Sequence, residues 1–181
     1  MNTEFSLGNF PVRFKSHGNN IELITLYNDT SRNLLDTLYD ESRMLMFVVS
    51  LIGYDIPSKT NSEIDELTEA LTTVHQICKH SSNRKKGLLI LYTNREEFKE
   101  KIEDIDLSVC KSFKDFSTPK KEKSNAAFKA IRDLFTIKAG YKKRRITHKV
   151  ALSKNESDIP AIYNSLSGII LEEVLVSMNM K

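Results

Sequence analysis

The sequence predicts an α+β fold: a small mixed or antiparallel sheet packed with several helices, in a single layer-type domain spanning residues 1–181. Three observations carry that reading. Stretches of alternating apolar and polar residues, suited to strands, are interspersed with stretches whose apolar residues recur every three or four positions, suited to helices. Apolar residues make up 40% of the chain, enough for one core at this length. Trp is absent, and only six Gly and four Pro are present, which disfavours a loop-rich all-β sandwich.

Each element has its own local signal. Phe10, Val12 and Phe14 alternate with polar positions, His17-Gly18-Asn19-Asn20 supplies a turn, and Ile21 to Tyr27 is a second β-rich run, so residues 10–27 predict a hairpin. Asn28-Asp29-Thr30-Ser31 offers helix N-caps. From Leu34 through Leu38, Met44 and Val48 to Ile52 the spacing predicts one long central helix, stopped by Gly53. Thr60 with Glu63 has capping-box spacing, and Ile64, Leu67, Leu71, Val74 and Cys78 predict an amphipathic helix to about His80.

Leu88 to Tyr92 is wholly apolar, as expected of a strand covered on both faces. Asn94 with Glu97 starts a short helix to about Asp104. Ile105, Leu107 and Val109 alternate and predict a strand reaching Phe113. Thr118-Pro119 starts a helix with Phe128, Ile131, Leu134 and Phe135 on one face, ended by Gly140. Ile146, His148, Val150 and Leu152 predict a strand. Residues 161–178 suit a terminal helix, with a strand around Ile169–Leu171 as the alternative. No repeat, low-complexity tract or linker divides the chain.

Charge is less evenly spread than structure. Residues 111–154 hold 14 of the 27 basic residues against three acids (Asp115, Glu122 and Asp133), a net of +11, while the remainder nets −8. Such segregation is the footprint of a surface that meets a polyanion. The expected nucleic-acid-binding face lies within 120–149. Its phosphate contacts are Lys120, Lys121, Lys123, Lys129, Arg132, Lys142, Lys143, Arg144, Arg145 and Lys149, with Tyr141 and His148 placed to stack on unpaired bases.

Catalytic chemistry has less support. His75 and His80 lie about 140° apart on one helix, which does not chelate one metal. His148 lies among cations that lower its pKa, so it could serve as the base of a metal-independent ribonuclease. Cys78 and Cys110 read as buried reduced thiols, and no Cys-x-x-Cys occurs. No two glycines lie within nine residues of each other, so no glycine-rich phosphate cradle is present. These patterns predict no catalytic residue, no metal and no cofactor. Nor do they contain an apolar run approaching the roughly 18 residues of a membrane span, or a secretory signal, which points to the cytoplasm, or to the nucleus in a eukaryotic host.

Lys123-Ser124-Asn125 opening a basic helix, with His75-Gln76 on an earlier helix, resembles the CRISPR RNA endonucleases. The resemblance implies RNA processing, but covers about a dozen positions. The glycine-rich C-terminal loop of those proteins has no counterpart in Met178-Asn179-Met180-Lys181, and no catalytic residue carries over. The sequence therefore predicts a non-enzymatic nucleic-acid-binding protein, RNA ahead of DNA. The alternatives are a viral or phage structural or assembly protein, associating with itself or with an acidic protein partner, and the ribonuclease.

Overall fold

The computed structural model describes residues 12–16, 19–24, 32–117, 122–140, 144–151, 167–168 and 171–172. The chain divides into two compact units, Met1–Glu41 and Ser42–Lys181. In the first, β1 (Val12–Ser16) pairs antiparallel with β2 (Asn19–Leu23), Phe14 opposite Ile21. This is the expected hairpin, followed by α1 (Arg32–Glu41).

The second unit is built on three parallel strands, β3 (Met44–Ser50), β4 (Gly87–Thr93) and β5 (Ile146–Val150), in the order β3-β4-β5. The fold class is α+β with a small sheet, as expected, but that sheet is parallel and not mixed or antiparallel. The connections explain this. Parallel neighbours need long crossovers, and here α2 (Glu66–Lys79) links β3 to β4, while α3 (Arg95–Asp104) and α4 (Lys123–Ala139) link β4 to β5. Among the described residues, no helix is long and apolar enough to cross a membrane.

Two expected elements are different. The expected helix over 34–52 ends at Glu41, and Met44–Ser50 is a strand that pairs along its whole length with Gly87–Thr93. A short apolar run fits either state by periodicity; here β-branched Val48 and Val49 follow Phe47, and the sheet provides the backbone partners. The expected strand over 105–113 is instead two 3-10 turns, Leu107–Val109 and Lys111–Phe113. Leu107, Cys110 and Phe113 are buried at a spacing of three, the period of a 3-10 helix, whereas Val109 is 54% exposed.

The strand at Gly87–Thr93 and the inner faces of α2 and α4 follow their patterns; the expected helix start at Thr118-Pro119 lies outside the described residues, and α4 opens at Lys123 after Glu122. All of Leu88, Leu89, Ile90 and Tyr92 are buried, as a doubly covered strand requires. Leu67, Leu71, Val74 and Cys78 form the inner stripe of α2, and Ala127, Ile131, Phe135 and Ala139 form that of α4. Both stripes pack into one core with Val49, Ile90 and Tyr92. Each large side chain removed from water there contributes about 1.5–3 kcal/mol. Gly140 ends α4 with φ 76°, a left-handed conformation suited to glycine.

The cap of α2 is Asp65, not the Thr60–Glu63 pair. Its carboxylate accepts from the Thr68 backbone N–H at 2.7 Å. Thr60 serves the preceding loop instead: its hydroxyl and that of Ser58 both donate to the Glu69 carboxylate, holding it below the usual carboxylate pKa range. Residues 161–178 lie largely outside the described residues; 167–168 and 171–172 are helical.

Candidate functional site at the carboxyl ends of the strands

The expected cationic face has a different geometry. Lys120, Lys121, Tyr141, Lys142 and Lys143 lie outside the described residues. Lys123 opens α4, donating to the Glu103 carbonyl at 3.0 Å, with Asp106 at 3.9 Å. Arg144 lies beyond the other end of α4, which is about 25 Å long at 1.5 Å per residue. Its Nη2 donates to the Cys78 carbonyl at 2.8 Å, at the last turn of α2. Arg145 pairs with Glu172 at 3.0 Å. Lys129, Arg132 and Lys149 are exposed, and the Arg132 guanidinium lies 5.8 Å from the Phe128 ring centre. Three of these cations are thus engaged with their own chain, and they are spread over both ends of the domain.

His148 is not a free base. It lies half-buried on the core face of β5, opposite Ile90. Thr136 Oγ1 donates to the Arg132 carbonyl at 2.8 Å, so it accepts the proton of His148 Nε2 at 2.9 Å. Nδ1 therefore carries no proton and accepts from the Tyr92 hydroxyl at 3.0 Å. Burial, then the Arg132 charge, lowers the His148 pKa to about 4 against a smaller opposing effect of Asp133. Both ring nitrogens are occupied, which removes the reason to assign it to RNA cleavage. His75 is likewise satisfied, its Nδ1–H donating to the Lys138 carbonyl at 3.0 Å.

The polar groups that gather do so elsewhere. In open parallel α/β sheets, ligands bind outside the carboxyl ends of the strands. At that edge Ser50 ends β3, Thr93 ends β4, and the Ala151 N–H donates to the Tyr92 carbonyl at 2.8 Å just past β5. Ser50 Oγ donates to Asn94 Oδ1 at 3.2 Å, and Thr93 Oγ1 donates to the Val49 carbonyl at 3.3 Å. Asn94 adopts φ 59° and ψ 37°, a left-handed conformation uncommon for a residue with a side chain. It caps α3 without a side-chain bond to the helix, so its carboxamide is held by Ser50 and not used up by the helix. Its Nδ2 has two hydrogens suited to a polar ligand edge.

Sequence reasoning takes Asn94 only as a helix cap and does not single out Ser50. The signal available was positional: Ser50 is the last residue of one apolar strand, and Asn94 directly follows another.

A parallel sheet with helical crossovers places these polar side chains at the carboxyl ends of its strands, the edge where open parallel sheets bind ligands. No family model matches the chain. Over 135 residues it is 27% identical to the guanine nucleotide-binding protein alpha-8 subunit of Dictyostelium discoideum, covering 75% of this chain and 32% of that protein. Over 142 residues it is 22% identical to the guanine nucleotide-binding protein G(o) subunit alpha of Geodia cydonium, covering 78% of this chain and 39% of that protein. The chain thus spans about a third of the length of these curated relatives. These similarities overturn the expected nucleic-acid-binding function, its RNA preference and the viral or phage assembly alternative. Both of those proteins are named for binding guanine nucleotide, and neither for nucleic acid, an acidic partner or self-association. The resemblance to CRISPR RNA endonucleases gives way with them.

Proposed function

We propose that this chain is a Gα-like domain that recognises the base of a guanine nucleotide at the carboxyl ends of β3, β4 and β5. The observation that carries this reading is the Ser50–Asn94 hydrogen bond, which joins the ends of two adjacent parallel strands and holds the Asn94 carboxamide in place. An amide that both donates and accepts suits a purine edge, which does the same. The similarity to two guanine nucleotide-binding subunits supports the ligand class.

Phosphoryl transfer is not part of the proposal. P-loop NTPases cradle phosphates in G-x-x-x-x-G-K-[ST], and these 181 residues do not contain it. A cytoplasmic setting belongs to the same reading, because both cysteines are buried and unpaired, as suits a reducing compartment.

Isothermal titration with guanosine, GDP, GTP and ATP tests the proposal. Guanine-containing ligands should bind in preference to ATP, and Asn94→Ala should abolish the preference. Equal binding of GDP and ATP, or no heat from guanosine, GDP or GTP at millimolar concentration, would overturn it.

A further inference from the structure

Arg95 follows Asn94 and is the first residue of α3, yet its side chain ends in the first turn of α4. Its guanidinium lies 4.6 Å from the ring centre of Phe128 on α4 and 5.5 Å from that of Phe98 on α3. Nη2 donates to Asn125 Oδ1 at 3.0 Å, and Nη1 reaches Ser124 Oγ at 3.5 Å. Arg95 is only 8% exposed. The placement runs against helix electrostatics. A cation at the start of two helices meets the positive ends of both macrodipoles, and burial lowers the pKa of this guanidinium. Two aromatic faces and the polar oxygens of α4 hold it there.

Asn94 gives that arrangement a purpose. A left-handed residue with a side chain is disfavoured and persists only where its surroundings determine it. Ser50 fixes its side chain from β3, and the next residue in the chain is bolted to α4. We propose that Arg95 is a positioning residue: it ties the first turn of α3 to that of α4, and so holds Asn94 left-handed at the carboxyl end of β4. The effect on ligand rests on the guanine-nucleotide reading above; the tie between the helices does not. Arg95 acts from beneath the site and need not touch the base.

Hydrogen–deuterium exchange of the 181-residue chain tests this, with Arg95→Lys, Asn125→Ala and the double variant. Lysine keeps the charge but loses the planar fork and its stacking. Asn125 is exposed, so its truncation leaves the core intact. Each single variant should speed exchange about tenfold at both 94–98 and 123–128, the loss of roughly one charge-assisted hydrogen bond, while 88–92 keeps its wild-type rate. The double variant should exchange no faster than Arg95→Lys, because both changes break one contact. Guanosine affinity should fall in each single variant and no further in the double variant. Faster exchange confined to 123–128, or additive effects in the double variant, would overturn the proposal. If Arg95→Lys does not fold, Asn125→Ala alone decides through its effect at 94–98. If the wild type binds no guanosine, the ligand reading fails while the exchange pattern still decides the tie.

Discussion

The Tyr92 phenol donates to Nδ1 of His148 at 3.0 Å, and the two rings lie parallel, 9° apart, with centres separated by 5.9 Å. This pair joins adjacent strands on the core face of the sheet, and Thr136 extends it to α4. The chain of donors works only while the imidazole is neutral. A proton on Nδ1 would force the Tyr92 hydroxyl to turn from donor to acceptor.

Stability should therefore depend on pH through His148. Its folded pKa is lowered from the ordinary 6.5 to about 4. Between those values the unfolded chain binds the proton and the folded chain does not, so stability falls as pH drops from about 6.5 towards 4. Above that window the contribution is fully present, and below it this group adds no further change. Urea denaturation from pH 4 to 7.5 should show a shallower slope for His148→Gln than for wild type. Tyr92→Phe should cost about 1 kcal/mol, while the burial and the Arg132 charge that lower the His148 pKa stay in place. A His148 that titrates near its ordinary 6.5 in the folded chain, followed by NMR, would refute the arrangement.

Asp65 should be among the most sensitive polar positions. It is 8% exposed, and its carboxylate accepts from the Thr68 N–H and hydroxyl, the Cys110 thiol and the Lys111 N–H. One side chain thus caps α2 and fastens both 3-10 turns to it. Asp65→Ala leaves several buried donors without an acceptor and should cost about 2–4 kcal/mol. Asp65→Asn keeps one acceptor oxygen and should cost less. A loss below about 0.5 kcal/mol for the alanine variant in chemical denaturation would mean that Asp65 is no more than an exposed cap.

How much of this was legible in the sequence differs by residue. The helical stripes from Leu67 to Cys78 and from Phe128 to Phe135 were plain because each helix has one wet face, which keeps the period visible. Met44 to Ser50 had no such contrast, and period alone cannot separate a strand from a helix there. At Leu107, Cys110 and Phe113 the true period of three lay beneath an apparent period of two from Ile105 to Val109, which is exposed at its last member. The candidate site was hidden for a different reason. Ser50 and Asn94 are 44 residues apart and meet only because two parallel strands end at the same level. The cations misled because Arg144 and Lys123 look like surface charge in sequence, while each donates to a backbone carbonyl in the fold.

The aromatic centre of the core allows a direct test of packing. Phe135 is fully buried, edge-on to Tyr92 with centres 6.0 Å apart and 6.4 Å from Phe47. Phe135→Ala removes a ring that touches two strands and should cost about 3–5 kcal/mol. Val48→Thr, at a position 54% exposed on β3, should stay within about 0.5 kcal/mol of wild type. Equal losses for the two variants in thermal and urea unfolding would contradict the assignment of Phe135 to the core.

The thiols should be silent in the folded chain. Cys110 is fully buried, and burial above all, with the neighbouring Asp65 carboxylate adding, pushes its pKa up to about 12; the hydrogen bond with Thr68 opposes this only in part. Burial also raises Cys78, with the Arg144 charge pulling the other way. Thiolate is the reactive form, so at pH 8 neither residue presents a nucleophile to solvent. A disulfide-exchange reagent should titrate two thiols per chain in denaturant and almost none over minutes without it. Arg144→Met should leave Cys78 as slow as before or slower, because the change removes the positive charge that favours its thiolate. Faster labelling of Cys78 in that variant would mean instead that Arg144 shields the thiol by fastening the last turn of α2.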